Sequence, residues 1–288
     1  MTVEVADRVD KALARHYPEA GRRQLAELFA DGCVRIKKKI VRKGDRVVPG
    51  EVIELSRAPV WGDAMRVVAD AEAAAKLVVL VERADLVAID KPVGMPSQPL
   101  RAGERGTVAN AIAARWPECI AIGDDPRDGG LVHRLDIGTS GILVAARTAE
   151  AYRALRDAFG AGTIAKTYLA IVDNRPVSRD SDAPLVQRGK RVAVDHTEGL
   201  AAYTQFTVEK ESAAHALVRC AAQTGRMHQV RAHLAHVGSP ITGDTLYGGT
   251  AAEGGFFLHA ATMTLPDLEL EAPLPARFTD ALAGFGLA

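Results

Sequence analysis

The sequence has few cysteines, and their spacing carries no pattern. Cys33, Cys119 and Cys220 are the three cysteines among 288 residues, an odd number with no C-x-x-C spacing. Such a set predicts neither a disulfide scaffold nor a zinc site, and it is typical of a chain that works in a reducing cytoplasm.

Long hydrophobic runs are also missing. The longest apolar stretches, such as Leu77 to Leu80, are far too short to cross a bilayer, and the acidic and polar N-terminal residues contain no apolar segment of the kind found in signal peptides. The composition, 48% hydrophobic and 25% charged, is that of a globular protein with room for one large domain and a small one. We therefore expect no membrane association.

The chain has no net charge, with 36 basic and 36 acidic residues, and by itself this does not indicate a nucleic-acid-binding protein. The charges are unevenly distributed, however, and contacts to phosphates are local. Positions 22 to 46 contain three acidic residues and nine basic ones. The basic residues are Arg22, Arg23, Arg35, Lys37, Lys38, Lys39, Arg42, Lys43 and Arg46. This segment is a candidate RNA-binding surface.

Residues 1–58 have the pattern of a small α/β domain. Apolar spacing predicts a short helix that contains Val9 and Leu13, a second helix from about Arg22 to Ala30, and short strands near 34–36, 40–41 and 52–55. The unit resembles the S4 RNA-binding domain in several segments: Arg8-Val9-Asp10-Lys11, Arg22-Arg23-Gln24-Leu25, Gly32-Cys33-Val34 and Gly44-Asp45 onward to Pro49-Gly50-Glu51.

This resemblance implies that the first unit binds RNA through its basic side chains, for which we name Arg22, Arg23, Lys37, Lys38 and Lys39. The three consecutive lysines depart from the S4 pattern, which usually has an Asn-Gly turn at that place. A small basic domain whose charged face is merely solvated is the alternative interpretation.

Residues 59–76, with Pro59, Trp61-Gly62 and an alanine-rich stretch, are predicted to form a linker. From residue 77 to residue 288, short alternating strands dominate and a few helices interrupt them. This pattern predicts an α+β domain with a mixed, mostly antiparallel β-sheet. We find no internal repeat and no low-complexity tract in the sequence.

The most informative segment is Val132-His133-Arg134-Leu135-Asp136, which continues as Ile137-Gly138-Thr139-Ser140-Gly141 into an apolar strand. An aspartate on such a loop is held where a rigid sheet can present it to a substrate. Carboxylates in these positions attack carbon or stabilise an oxocarbenium-like sugar, but an aspartate in a turn is more often a cap or a turn acceptor. This segment taken alone leaves both interpretations open.

Further segments favour the functional interpretation of Asp136. Together with this segment, and in the same order, they resemble the RluA-type pseudouridine synthases. They span about residues 77–278 and include Ala88-Ile89-Asp90-Lys91-Pro92-Val93-Gly94-Met95, Lys166-Thr167-Tyr168, Gln223-Thr224-Gly225-Arg226-Met227-His228-Gln229-Val230-Arg231, Gly243-Asp244, Tyr247-Gly248 and Leu258-His259-Ala260. Ser97 departs from the pattern, because many members have a histidine there.

The resemblance implies an isomerase that moves the uracil of a uridine within RNA from an N1 to a C5 linkage, with no cofactor and no metal. Asp136 would be the essential carboxylate, which attacks C1′ of the ribose or removes the 2′ proton. Arg226 would hold Asp136 bidentately and favour its charged form. Tyr168 would stack on uracil and help remove the C5 proton. Arg134 and Lys91 would contact phosphates of RNA whose uridine is extruded from the stack.

Large-subunit ribosomal RNA is the expected substrate, since members with an S4 domain often act on it, and transfer RNA stays open. We expect a monomer.

A non-catalytic RNA-binding protein on the same scaffold is one alternative, but such a protein has no reason to keep Asp136, Tyr168 and Arg226 together. A nucleoside or glycoside hydrolase is another, but it usually relies on a second carboxylate, and we find no convincing partner for Asp136.

Two other site types have little support. His228, His233 and His236 lie along one predicted helix and suggest a metal, but Val230 and Leu234 define its buried stripe, so the histidines flank the stripe and do not converge. The Gly-Thr-Ser-Gly turn lacks the Gly-Lys-Ser/Thr ending of a phosphate-binding P-loop.

Overall fold

The structure, a computed structural model, describes residues 1–288 apart from the side chains of Arg23 and Asp63. The chain divides into two units. Unit 1 contains residues 1–66 and 101–103, and unit 2 contains residues 67–100 and 104–288.

Unit 1 packs two helices against short strands. Its elements are β1 (Asp7–Arg8), α1 (Val9–His16), α2 (Arg22–Ala30), β2 (Val34–Ile36), β3 (Lys39–Ile40), β4 (Arg46–Val47), β5 (Ile53–Leu55) and a 3₁₀ helix (Gly62–Met65). Strand β2 lies between β3 and β5 in an antiparallel sheet, and β1 pairs with β4. The apolar spacing of the helices places Val9, Leu13, Leu25 and Leu28 in one buried core.

A tight turn joins β2 to β3. Its two central residues, Lys37 and Lys38, have left-handed backbone conformations, with φ of 50° and 66°. A two-residue hairpin of this kind requires positive φ at both positions, which Asn-Gly adopts most readily. The two exposed lysines therefore hold a conformation that residues with a Cβ atom disfavour.

Unit 2 is built on a nine-stranded sheet. The strands of unit 2 are β6 (Val78–Glu82), β7 (Leu86–Lys91), β8 (Ser140–Ala146), β9 (Ala165–Asp173), β10 (Asp180–Ser181), β11 (Leu185–Arg188), β12 (Arg191–Val194), β13 (Thr204–Glu211), β14 (His215–Ala222), β15 (Leu258–Leu265) and β16 (Leu268–Glu271). Its helices are α3 (Ala71–Ala74), α4 (Val108–Arg115), α5 (Ala149–Ala161), α6 (Gln229–His236) and α7 (Ala276–Gly284), with 3₁₀ helices at Pro117–Ala121 and Thr245–Tyr247.

The strand order of the large sheet is β10-β13-β14-β9-β15-β8-β7-β6, with β16 paired to β15, and β11 and β12 form a separate hairpin. The pairing of β15 with β8 is parallel, whereas the other pairings of the described strands are antiparallel. The predicted α+β class with a mixed, mostly antiparallel sheet is confirmed. The division into 1–58, 59–76 and 77–288 stays a prediction.

Helices cover both faces of the sheet near β7. Along that strand Val87 and Ile89 join the cluster that contains α4, whereas Leu86 and Ala88 join the cluster that contains α5. Successive strand residues point to opposite faces, so a continuous apolar run marks a strand that is buried on both sides. The central strands are therefore a rigid support for the loops at their ends.

One glycine permits a close approach of β8 to β15. Gly141 has φ of 105°, and a Cβ atom there would lie 2.2 Å from the carbonyl oxygen of Ala260. No other residue type fits this contact without separating the strands. Since β8 directly follows the loop that carries Asp136, Gly141 helps to set where that loop ends.

Candidate active site

The loop that carries Asp136 is anchored on both sides of that residue. Ser97 Oγ donates a hydrogen bond to the carbonyl of Leu135 (2.8 Å) and accepts one from its N–H (3.0 Å). On the other side the N–H of Thr139 donates to the carbonyl of Asp136 (3.0 Å). The serine that departs from the family pattern thus fixes the backbone next to Asp136.

Lys91 is a buried anchor of the same loop. Its side chain has no solvent exposure, and Nζ donates to the carbonyls of Pro92 (2.9 Å), Met95 (2.7 Å) and Ile137 (3.3 Å). Burial lowers the pKa of Lys91 to about 8, although the charge of Asp136 opposes the shift. The prediction that Lys91 contacts RNA phosphates is wrong, because all three ammonium hydrogens are used inside the protein.

Arg231, on α6, is the cation that pairs with Asp136. Its Nη1 lies 2.9 Å from Asp136 Oδ2. Its Nε and Nη2 bind the two oxygens of Asp244 at 2.6 and 2.8 Å, and both of these side chains are almost completely buried. The guanidinium also packs over the rings of Tyr247 and Phe256. The fork is therefore directed at Asp244, and one nitrogen remains for Asp136.

Arg226 does not make the predicted contact with Asp136. Its side chain is exposed, and Nε donates to the carbonyl of Ala201 (3.0 Å). The prediction of a bidentate Arg226–Asp136 pair is wrong, because Arg226 lies in the loop before α6 whereas Arg231 lies inside that helix. A sequence signal existed, since Arg231 stands among small and apolar helix residues and the motif Gly243-Asp244 follows downstream.

Tyr168 lies in the middle of β9 and lines the same cleft as Asp136. The side chains of β9 alternate between two faces, because Ala170 and Val172 share one cluster with Tyr168, whereas Leu169 and Ile171 belong to another cluster. Burial raises the pKa of Tyr168 to about 12, and the negative charge of Asp136 adds to the shift. At neutral pH the phenol is protonated, so it can donate or relay a proton but is not a free phenolate base.

The cleft around Asp136 is small and opens beside a larger cavity. It has a volume of about 80 Å³, and its lining includes Arg134, Asp136, Tyr168, Arg226, His228 and Arg231. A neighbouring cavity of about 590 Å³ shares Arg134, Tyr168 and Arg226 with it and adds Arg156. Arg134, Arg156 and Arg226 are exposed, so the joint opening is bordered by positive charge.

The three histidines of the α6 region have separate environments, and His236 is exposed. His233 is fully buried, with Nδ1 at 2.9 Å from the Thr204 hydroxyl and Nε2 at 2.9 Å from the Ala183 carbonyl. His228 lies in the cleft, with Nε2 at 3.7 Å from Asp136 Oδ2. In the part of the chain that the structure describes, no three His, Cys, Asp or Glu side chains group in a way that could hold a metal ion.

The basic residues predicted to bind RNA in unit 1 lie on its surface where they are described. Arg22 is exposed and lines a shallow cavity of about 330 Å³ together with Lys11 and Lys43. Lys37 pairs with Glu51 at 2.8 Å. Lys38 and Lys39 are also exposed. The side chain of Arg23 lies outside the described residues.

None of the described helices combines the length and the apolar character that a membrane span requires.

Comparison with known proteins gives the class of the molecule. The model of the family described as RNA pseudouridylate synthase matches residues 85–236. The ribosomal large subunit pseudouridine synthase D of Xanthomonas campestris is 35% identical over 251 residues, which cover 84% of this chain and 71% of that protein. An uncharacterized RNA pseudouridine synthase of Chloroflexus aurantiacus is 37% identical over 286 residues, 95% of this chain and 88% of that protein.

A solved structure has the same fold. Human RNA pseudouridylate synthase domain containing 4 superposes with a TM-score of 0.62 at 24% identity, over 75% of this chain and 95% of that one.

The chain belongs to the RNA pseudouridylate synthase family, because the family match spans more than half of its 288 residues and the relatives exceed 30% identity. The protein is accordingly an isomerase that forms pseudouridine in RNA, and the predicted enzyme class is confirmed.

Proposed function

We propose that this synthase modifies uridine in ribosomal RNA of the large subunit, with Asp136 as the reacting carboxylate. The substrate is supported by the names of the relatives in Xanthomonas campestris and Pseudomonas aeruginosa, which state this RNA. A cytoplasmic site of action fits that substrate. Transfer RNA is the alternative, and mapping of modified positions in both RNAs from cells that lack the protein separates the two.

The chemistry needs only side chains. The bond from N1 of uracil to C1′ of ribose breaks, the base turns, and a bond from C5 to C1′ forms. C5 loses a proton and N1 gains one, so atoms balance and no electrons are gained or lost. Asp136 starts the reaction by attack on C1′ or by removal of the 2′ proton, and both routes need an ionised carboxylate next to the sugar.

One observation carries the proposal. Asp136 lies in an open cleft with its Oδ2 at 2.9 Å from the buried guanidinium of Arg231, while Tyr168 lines the same cleft. The positive charge stabilises the carboxylate as an anion, and the aromatic ring offers a surface for a base. A merely structural ion pair has no need of such an opening.

The positive border of the cleft suits a polyanion. Extrusion of a stacked uridine costs a few kcal/mol, and contacts to neighbouring phosphates offset this cost. Arg134, Arg156 and Arg226 are placed to make such contacts.

We assign RNA anchoring to the S4-like unit, residues 1–58, through Arg22 and the lysines of its turn.

Tritium release from RNA labelled at C5 of uridine tests the role of Asp136. Asp136→Asn removes the charge at nearly constant volume and should abolish release, while the RNA strand stays intact. Asp157→Asn, at an exposed carboxylate on α5, is the matched control and should release tritium at the normal rate. A fully active Asp136→Asn variant would exclude this carboxylate from the chemistry.

A further inference from the structure

We propose that His228 is a positioning residue that, together with Arg231, holds one oxygen of Asp136 and so directs the other oxygen at the substrate. The inference rests on the proposed role of Asp136 as the reacting carboxylate.

One hydrogen-bond donor and one imidazole nitrogen lie close to the same oxygen of Asp136. Asp136 Oδ2 lies 2.9 Å from Arg231 Nη1 and 3.7 Å from His228 Nε2. Within the described side chains and backbone, Oδ1 has no hydrogen-bond partner. A carboxylate that is held at one oxygen presents the other in a fixed direction. Oδ1 is therefore the atom that attacks C1′ or takes the 2′ proton.

The hydrogen-bond chain behind His228 sets its tautomer. The hydroxyl of Tyr247 accepts a bond from the N–H of Val192 on β12 (2.9 Å) and lies 3.0 Å from His228 Nδ1. The hydroxyl hydrogen is thus free to be donated to Nδ1, which leaves the ring hydrogen on Nε2. Nε2 is the ring nitrogen that lies 3.7 Å from Asp136 Oδ2.

The backbone of His228 is in a conformation that needs support. Its φ is 53°, in the left-handed region, at the residue before α6. Residues with a Cβ atom hold such a conformation only where the surroundings impose it, and such positions gather at functional sites. Asparagine tolerates this region better than most residues, so a variant is available that keeps the backbone.

Burial is the main reason why the neutral form of the His228 ring is favoured. Burial lowers the pKa of His228, and the cations Arg231 and Arg134 lower it further, while the anions Asp136 and Asp244 oppose the shift. Tyr247 lies next to the ring, and Tyr168 and Arg226 are further titratable groups along the cleft wall. A neutral N–H donor orients the carboxylate without neutralising it.

Two substitutions of His228 distinguish the role of its Nε2 hydrogen from that of the rest of the ring. The amide of His228→Asn occupies the place of Nδ1 and leaves nothing near Asp136, whereas the longer side chain of His228→Gln brings an amide N–H to the place of Nε2. In the C5 tritium-release assay, kcat should fall about 10- to 100-fold for His228→Asn with KM for RNA unchanged. His228→Gln should keep kcat within about threefold of the wild type.

The pH dependence gives a second readout, which does not depend on the absolute rate. The pKa of His228 is held below its usual 6.5, so the wild-type imidazole gains a proton only as the pH falls below that value. It then pairs with Asp136 as a cation, which weakens the carboxylate as a base or nucleophile. Glutamine does not titrate. The ratio of the His228→Gln rate to the wild-type rate should therefore rise as the pH falls.

The possible results are distinguishable. A normal kcat for His228→Asn would overturn the inference and leave the role of Asp136 intact, as would a folded His228→Gln variant that is as slow as His228→Asn. If His228→Asn does not fold, Tyr247→Phe replaces it. Without the Tyr247 hydroxyl beside Nδ1, the hydrogen of the His228 ring is no longer confined to Nε2. Tyr247→Phe should then lower kcat with KM unchanged, and a normal kcat would overturn the inference. An active Asp136→Asn variant would remove the proposed function itself.

Discussion

Asp244 binds Arg231 through two hydrogen bonds, of 2.6 and 2.8 Å, and this directs the remaining guanidinium nitrogen at Asp136. A buried carboxylate thus orients a buried cation, which in turn holds the carboxylate of Asp136. The planar fork of arginine is essential to this arrangement, since an ammonium group is a point charge without fixed directions.

Arg231→Lys should therefore reduce the rate of pseudouridine formation by at least about 100-fold, because the charge remains but the geometry is lost. Arg153→Lys, at an exposed arginine on α5 outside the cleft, is the matched control and should stay within about threefold of the wild type. Single-turnover tritium release measures both rates. Equal losses in the two variants would show that the contacts of Arg231 with Asp136 and Asp244 have no special role.

Replacement of the buried lysine should affect stability and rate, not RNA affinity. Lys91→Met removes three hydrogen bonds to carbonyls around the Asp136 loop, and each buried carbonyl left without a donor costs about 1–3 kcal/mol. Removal of a buried charge offsets part of this cost. We expect a net loss of about 2–3 kcal/mol in the free energy of unfolding and a lower kcat.

The exposed Lys38 is the control for this experiment. Lys38→Met should leave the urea unfolding midpoint unchanged and weaken RNA binding in a filter assay. The opposite pair of results, with weaker RNA binding for Lys91→Met alone, would restore Lys91 as a phosphate contact.

Acid should destabilise unit 2 through His133. Its Nε2 accepts the N–H of Val144, and burial, helped by the charges of Lys166 and Arg156, lowers the pKa of His133 to about 3. The unfolded chain binds the proton near pH 6.5, so this contribution is complete above pH 6.5 and is lost as the pH falls towards 3. The slope is at most about 1.4 kcal/mol per pH unit.

His133→Gln keeps a polar group beside Val144 but cannot titrate. Its free energy of unfolding should depend less on pH between 6.5 and 4 than that of the wild type, as measured by urea unfolding at each pH. Parallel curves for the two proteins would show that His133 does not contribute to the acid sensitivity.

Replacement of the two lysines in the left-handed turn of unit 1 should raise the stability of this unit and weaken its binding to RNA. The double variant Lys37→Asn, Lys38→Gly introduces the residues that such a turn favours and should stabilise unit 1 by about 1–2 kcal/mol. The exposed ion pair between Lys37 and Glu51 contributes little, so its loss does not change the sign. The same variant should bind RNA more weakly and with a shallower dependence on salt, because two cations are lost. An unchanged salt dependence would exclude the turn from the RNA contact.

Much of the fold could be predicted from apolar spacing. Helix α2 was expected from about Arg22 to Ala30 and has those bounds, and strand β2 was expected at residues 34–36 and forms at Val34–Ile36. Both depend on neighbours close in sequence, where helix and strand periods determine which side chains are buried. β3, predicted at residues 40–41, forms one residue earlier, at Lys39–Ile40.

The errors in the site came from distant partners. Arg226 and Arg231 lie five positions apart in one motif, and the choice between them depends on Asp244, whose position in space cannot be predicted from local periodicity. Lysine is usually exposed, so the burial of Lys91 could not be predicted from its residue type. The carbonyl of Ile137, which accepts one of its hydrogen bonds, belongs to a segment 46 residues away.

The grip of Ser97 and Lys91 on the backbone on either side of Asp136 has a consequence for substrate choice. Since hydrogen bonds within the protein hold that backbone, the position of Asp136 does not require contacts with a particular RNA sequence. Discrimination among uridines must then arise earlier, in whether a given nucleotide can leave its helix and enter the cleft.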